Sequence, residues 1–492
     1  MYGLEKEDID KIISVFNKHP EVEKAILYGS RAKGNYKPHS DIDISLVGEN
    51  LTLSQQFAIE TELDDLLLPY KMDISIFHKI ENQDLIDHIN RVGISLYNSN
   101  NALEKSEDEL EGWSEMRLDE FADINPSTKL SKGTIAKKVP MEAVKPFTKT
   151  IPKYELEKYS GGVKFINQDT LMARITPSLE NGKTSYVNFL DDEEVGFGST
   201  EFIVLRAKEG ISDPEYLYYL STSPELREVA IQSMTGSSGR QRVQNDVVKE
   251  FKFLFPLLSE QKAIANVLSS LDNKINLLHR QNKTLEALSK ALFRQWFVEE
   301  VNEEWEEEPL SSVAYFLNGL ACQKYPPKNE IDKLPVLKIR ELKAGFTDNS
   351  DFVSTEVDKK YFVQNGDVIF SWSASLVVKI WDGEDCILNQ HLFKVTSNRF
   401  PKWFYYIWSK YHLDMFIAIA KAHATTMGHI KRGDLDDAMV MVPPPTELAK
   451  MSKTFTPLID KIIANNQQIK QVEKLRDTLL PNLMNGEVRV KI

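Results

Sequence analysis

The sequence predicts a multidomain α/β protein. A small N-terminal α/β domain is followed by two α/β modules, each ending in a long helix, and the two helices pair as an antiparallel coiled coil. Three observations carry this. Residues 214–298 are echoed 187 positions later, so that Pro256, Glu260, Leu271, Lys274 and Gln281 return as Pro443, Glu447, Leu458, Lys461 and Gln468; a self-match of this length marks a duplicated module. Two stretches keep a steady heptad period. Two acidic runs, Glu104–Glu111 and Glu299–Glu308, divide the 492 residues, as solvated linkers do.

Taken in order, residues 1–100 form the small domain. A helix is expected over Asp8–Phe16 and another over 53–67, with short strands at Lys24–Tyr28, Ile42–Val47 and Met72–Phe77. An acidic linker follows at 101–112. The first module spans 113–258 and its helix 259–298. A second linker lies at 299–304, the second module at 305–445, and its helix at 446–485, with a tail to residue 492. Each module restarts on a tryptophan, Trp113 or Trp305, followed five residues on by Leu118 or Leu310. Aromatic-rich helices are expected at Tyr216–Leu220 and Trp403–Trp408, among short strands such as Phe202–Leu205 and Val368–Phe370.

The heptads run through Ile264, Leu268, Leu271, Ile275, Leu278, Asn282, Leu285, Ser289, Leu292 and Trp296, and through Met451, Phe455, Leu458, Ile462, Asn465, Ile469, Val472, Arg476, Leu479 and Leu483. Asn282 and Asn465 interrupt otherwise apolar stripes, where a polar residue sets register. A helix from 264 to 296 rises roughly 48 Å, a spacer able to hold two domains more than one DNA turn apart.

Composition bounds the chemistry. The net charge is −13, and residues 1–112 carry most of it, leaving the remainder near neutral and compatible with a basic face. No apolar run reaches membrane-spanning length and no signal peptide is visible, which together with two unpatterned cysteines, Cys322 and Cys386, points to a cytoplasmic protein with buried free thiols. Trp113, Trp305, Trp372 and Trp381 are expected in cores. Asp169 and Asp367 are expected to shape turns. The nine histidines form no metal motif.

The sharpest chemical motif is Leu27-Tyr-Gly29-Ser30-Arg31-Ala-Lys33-Gly34, then Asp41-Ile-Asp43, then Asp73. Gly29-Ser30 closes a strand and opens a helix, a turn that presents amides and a hydroxyl to phosphate. Asp41 and Asp43, two apart, share one strand face. With Asp73 from a neighbouring strand they make an oxygen-rich Mg²⁺ site, where two metals would clamp a triphosphate and activate an attacking hydroxyl. This spacing resembles the minimal nucleotidyltransferases of the MNT type, in the DNA polymerase beta-like superfamily, as does Asp87-His-Ile-Asn-Arg-Val-Gly-Ile-Ser-Leu-Tyr97. The resemblance implies ATP or another NTP with Mg²⁺, catalytic Asp41, Asp43 and Asp73, nucleotide contacts at Gly29, Ser30 and Arg31, and an antitoxin-like action, adenylylating a HEPN-type toxin.

Residues 113–492 resemble the DNA-specificity subunit of type I restriction–modification systems. The phrases that carry this are Met234-Thr-Gly-Ser-Ser-Gly239-Arg240-Gln241-Arg242-Val243 with its counterpart Thr425-Thr-Met-Gly428-His429-Ile430-Lys431, then Pro256-Leu-Leu-Ser-Glu-Gln-Lys262, Leu334–Leu342, Gly366-Asp-Val-Ile-Phe and Leu479–Val488. The resemblance implies two target-recognition domains reading a split double-stranded DNA sequence. It also implies two methyltransferase subunits, which use S-adenosylmethionine, and a translocase/endonuclease subunit. Arg240, Gln241, Arg242, His429, Lys431 and Arg432 are the candidate DNA contacts, on phosphate or on base edges. The chain has no GxxxxGK[ST] loop and no adenine-methyltransferase motif, so residues 113–492 need partner chains for catalysis. The other reading makes the nucleotidyltransferase the main activity, with the recognition domains delivering it to DNA.

Overall fold

The computed structural model describes residues 4, 6–32, 40–48, 51–66, 68–80, 82–98, 112–237, 239–329, 332–347, 349–422 and 428–491. Lys33, Gly34, the linker over 101–111 and Thr425–Met427 therefore lie outside the described residues. The chain divides into two compact units, one holding residues 1–111 and 327–333 and the other holding 112–326 and 334–492.

In the first unit, β1 (Lys24–Tyr28), β2 (Ile42–Val47), β3 (Met72–Ile76) and β4 (Ile94–Asn98) form one sheet in the order β3-β2-β1-β4. β2 and β3 run parallel, and β1 is antiparallel to both β2 and β4. The strand β4, with the helix Gln83–Val92 before it, was not anticipated. Ile42, Ile44 and Leu46 alternate along β2 and are fully buried against Ile12 and Phe16 of the helix Lys6–Phe16 and Ile59 of the helix Leu53–Asp64, as period-two patterning requires. Thr52 caps the latter helix in a reciprocal box with Gln55.

The second unit contains the module twice, strand for strand. In the first copy one sheet runs Thr184–Tyr186, Thr170–Ala173, Phe202–Ala207, Ala122–Ile124; in the second its equivalent runs Val377–Ile380, Val368–Ser371, Leu392–Thr396, Tyr315–Asn318. The other sheet runs Glu155–Lys158, Ile135–Val139, Gly196–Gly198, Val163–Phe165, and its equivalent Phe352–Ser354, Lys333–Leu337, Cys386–Leu388, Phe362–Val363. Each second sheet has one parallel pair, at the same place. A two-stranded ribbon closes each copy, Ser114–Arg117 with Lys252–Phe255 and Glu306–Pro309 with Met439–Val442. Both expected turn aspartates hold turns: Asp169 accepts from Ile166 N and pairs with Arg206, and Asp367 accepts from Gln364 N and pairs with Lys394. Cys322 and Cys386 are buried free thiols.

The long helices are Leu258–Arg294, continued by a π turn over Gln295–Glu299, and Pro445–Met484. Every expected heptad position is buried or half-buried. The helices pack side by side and antiparallel: Asp272 meets Arg476 and Asn282 meets Asn465, so one number rises as the other falls. Ile275, Leu278 and Ile469 fill the space between these polar contacts. Each helix ends inside the opposite copy. Phe293 and Phe297 join the second core beside Trp403 and Trp408, and Leu483 and Met484 join the first core beside Phe121 and Tyr216. Among the described residues no helix is long and apolar enough to cross a membrane.

Candidate nucleotide site and candidate nucleic-acid interface

The nucleotide motif sits at one end of the four-stranded sheet. Parallel pairing sets Asp43 directly beside Asp73, and antiparallel pairing sets Tyr28 opposite Asp43. Gly29 follows with φ +74°, and a Cβ there would stand 2.0 Å from Asp43 Oδ2. Only glycine allows both the left-handed turn and this close approach. Burial, reinforced by the Asp73 and Asp41 carboxylates, pushes the Asp43 carboxyl up to about 6, while Arg31 and Lys71 oppose the rise. Ser30, in the short helix Gly29–Ala32, is half-exposed.

Arg31, expected at the nucleotide, is 1 % exposed and donates to the Ser40 carbonyl through Nε (3.1 Å) and Nη2 (2.7 Å), with its guanidinium over Tyr70. It holds the backbone that leads into Asp41. Among the described residues no three His, Cys, Asp or Glu side chains stand ready to hold a metal ion. Asp41 lies just before β2, exposed, 3.8 Å from Lys71 Nζ. Even so, the donor set is all carboxylate, and its central member is raised by its like-charged neighbours, so it fits a hard divalent cation.

In the recognition copies the two candidate loops dock in the same way. In the first copy Thr176 N donates to Gln241 O, Val243 N to Arg174 O, and Arg174 N to Glu201 O. In the second copy Ala374 N donates to Gly428 O, Ile430 N to Trp372 O, and Trp372 N to His391 O. These bonds make Arg174 equivalent to Trp372, Glu201 to His391, and Arg242 to His429.

Arg240 is exposed with no carboxylate partner among the described residues, and the Gln241 side chain is half-buried. Arg242 is held differently. Its guanidinium forks onto Glu201, Nη2 to Oε1 at 2.7 Å and Nε to Oε2 at 3.0 Å, which pulls the Glu201 carboxyl below its usual range. In the second copy His429, Lys431 and Arg432 line a cavity of about 290 Å³ together with Asn318, Trp372 and Phe393. Lys431 and Arg432 are exposed at the start of the helix Arg432–Asp436.

Trp372 packs, partly buried, against the second core and faces this cavity as well. Trp305 and Trp381 are buried core residues, and Trp113 is half-buried with its Nε1 on Glu260. Trp372 forms the cavity wall, its Nε1 donating to Asn318 Oδ1 at 3.1 Å and its ring stacked on Phe393 and close to His391 and His429. Arg174, Glu201, Trp372 and His391 were not singled out from the sequence. Their signal was the chemical mismatch between equivalent positions, visible only once the copies are aligned strand by strand.

Residues 110–287 and 302–474 match the model of the type I restriction modification DNA specificity domain, and residues 10–102 match that of the polymerase beta nucleotidyltransferase. The chain is 27 % identical over 309 residues to the type I restriction enzyme MjaIX specificity subunit of Methanocaldococcus jannaschii, covering 58 % of this chain and 71 % of the relative. It is 26 % identical over 330 residues to the MjaVIII specificity subunit of the same organism, covering 60 % and 75 %. Among solved structures, the type I restriction–modification S subunit from M. genitalium aligns over 76 % of this chain and 96 % of its own, with a TM-score of 0.46 and 14 % identity. The two specificity-domain matches span well over half of the chain, which belongs to the family of type I restriction–modification DNA-specificity subunits and carries a polymerase beta-type nucleotidyltransferase domain besides.

Proposed function

We propose that this chain is the DNA-recognition subunit of a type I restriction–modification complex working in the cytoplasm. Residues 113–258 and 305–445 each read one half of a split double-stranded target, and the helix pair fixes the distance between them. The observation that carries this is one module built twice on an antiparallel helix pair, each copy presenting its loop from the same backbone frame. Arg240, Lys431 and Arg432 suit phosphate contacts. Two methyltransferase subunits dock on the helices and carry the S-adenosylmethionine, and a translocase/endonuclease subunit completes the complex. Mapping methylated adenines after co-expression with methyltransferase subunits tests this: a bipartite motif with a fixed gap is expected, and a continuous motif, or none, would sink it.

The N-terminal domain supports a second activity, nucleotidyl transfer from ATP or another NTP. Its support is the contact of Gly29 with Asp43 and the raised Asp43 carboxyl beside Asp73 and Asp41. Mg²⁺ held by Asp41, Asp43 and Asp73 would supply charge neutralisation for the triphosphate, and Ser30 a hydroxyl to it. In this reading the domain acts like an antitoxin, adenylylating a HEPN-type toxin or another macromolecule, and the recognition domains deliver the transferase to DNA. Incubating the full chain with α-labelled ATP, Mg²⁺ and such a toxin tests it. Label on a macromolecule is expected; ATP binding that is indifferent to Mg²⁺ would count against it.

A further inference from the structure

The two recognition copies share a backbone frame but differ sharply at three equivalent positions. Arg174, Glu201 and Arg242 occupy them in the first copy, and Trp372, His391 and His429 in the second. Some equivalent positions keep their chemistry. Asp169 and Asp367 cap the same turn and each pairs with a cation, and Tyr218 and Tyr219 return as buried Tyr405 and Tyr406. These three positions change side-chain type while their main-chain bonds stay intact.

All six side chains are accessible. Arg174, Trp372, His391 and His429 are half-exposed, Glu201 is partly exposed, and the side chain of Arg242 is 44 % exposed. In the second copy Trp372 and His429 line the 290 Å³ cavity with Lys431 and Arg432, and His391 lies against Trp372. In the first copy, Arg174 keeps its Nε buried without a hydrogen-bond partner while its charge acts on Glu201.

We propose that these positions set base identity in the two half-sites; the proposal rests on the DNA-reading function given above. The first triad offers guanidinium donors beside a carboxylate acceptor, which matches guanine O6 and N7 and cytosine N4 of a G·C pair. The second offers two imidazoles, each able to donate and accept, beside an indole held by Asn318 and Phe393. This set suits the mixed donor–acceptor edge of adenine and the methyl group of thymine, hence an A·T pair. The neighbouring Lys431 and Arg432 anchor the phosphate on either sequence.

The test is selection of bound DNA, by the full chain in its methyltransferase complex, from a library randomised in both half-sites. The wild type is compared with the double variant His391→Glu/His429→Arg, which writes the first copy's ion pair into the second, and with the milder His391→Gln. The double variant is expected to shift one or two base pairs of a single half-site from A·T to G·C by roughly tenfold or more, leaving the other half-site unchanged. His391→Gln, which keeps a donor and an acceptor, should weaken preference at those same pairs and guards against a folding defect in the double variant. An unchanged motif in both variants, with affinity either intact or lowered equally for all sequences, overturns the proposal while leaving the DNA-reading function standing. A wild type that selects no bipartite motif overturns both.

Discussion

Asn465 and Asn282 meet in the buried seam of the two long helices, Asn465 Nδ2 donating to Asn282 Oδ1 at 2.9 Å, while Asn282 Nδ2 donates to Asn466 Oδ1. They are 1 % and 8 % exposed. Replacing one with Leu removes this bond from the buried seam and leaves the remaining amide short of one partner, at about 1–3 kcal/mol. The double variant Asn282→Leu/Asn465→Leu should regain most of that stability but lose the polar lock on register. Chemical denaturation reads the first effect. The second should appear as tolerance for half-site gaps one base pair longer or shorter, and a gap preference as strict as the wild type's would show that the asparagines do not set register.

A second buried contact ties the helices nearer one end. Arg476 Nη1 lies 2.8 Å from Asp272 Oδ1, and Tyr219 OH donates to Asp272 Oδ2 at 2.6 Å. Arg476→Ala leaves a carboxylate buried without its counter-charge and should cost about 3–5 kcal/mol. Arg476→Met with Asp272→Leu removes both charges and should cost much less. Thermal unfolding of the two variants separates a real ion-pair dependence from simple loss of packing.

Salt dependence distinguishes the two arginines of the first loop. Arg240 has no carboxylate partner among the described residues, whereas Arg242 is neutralised by Glu201. Arg240→Ala should lower the slope of log K against log salt by about 0.9, and Arg242→Ala should change it far less. Equal losses of slope would mean that Arg242 leaves Glu201 for phosphate.

The raised Asp43 carboxyl, at about 6, makes the N-terminal domain sensitive to mild acid. Its folded form holds a proton more tightly than its unfolded form. The associated stability is present at low pH and is lost as pH rises through about 6, a swing on the order of 1 kcal/mol after allowance for its half-exposed setting. A divalent cation must displace that proton, so Mg²⁺ affinity should climb across the same range. Asp43→Asn should abolish both trends in pH-resolved melting and titration calorimetry.

Gly29→Ala should disable the same site by geometry alone. The new methyl would collide with Asp43 Oδ2 in a backbone conformation that alanine resists. Loss of Mg²⁺-dependent ATP binding with little change in the melting of the recognition unit is expected.

Much of this architecture was legible because its signals are local or strictly periodic. Lys24–Tyr28 and Ile42–Val47 are strands where alternation placed them, and the heptads mark the buried stripes of both helices. The long helices start at Leu258 and Pro445, in step with the 187-residue echo. Upstream, a single offset hides the duplication. Lys252 corresponds to Met439, but Phe202 to Leu392, Thr170 to Val368 and Ser114 to Glu306, because connecting loops differ in length while the strands they join do not. The grouping of Trp372, His391 and His429 was hidden for the same reason. Hydrogen bonds between strand ends create it, and sequence spacing carries no trace of those.

Phe297 completes the second core and Met484 the first, and the two residues are themselves counterparts in the duplicated helices. Each half of the recognition unit thus exports a plug and offers a socket. A fragment cut between the copies would carry both parts of the fitting, unsatisfied. Two such fragments, even two of the same half, would then close on each other head to tail, and under the DNA-reading function proposed above the assembly would read a palindrome in place of two different half-sites.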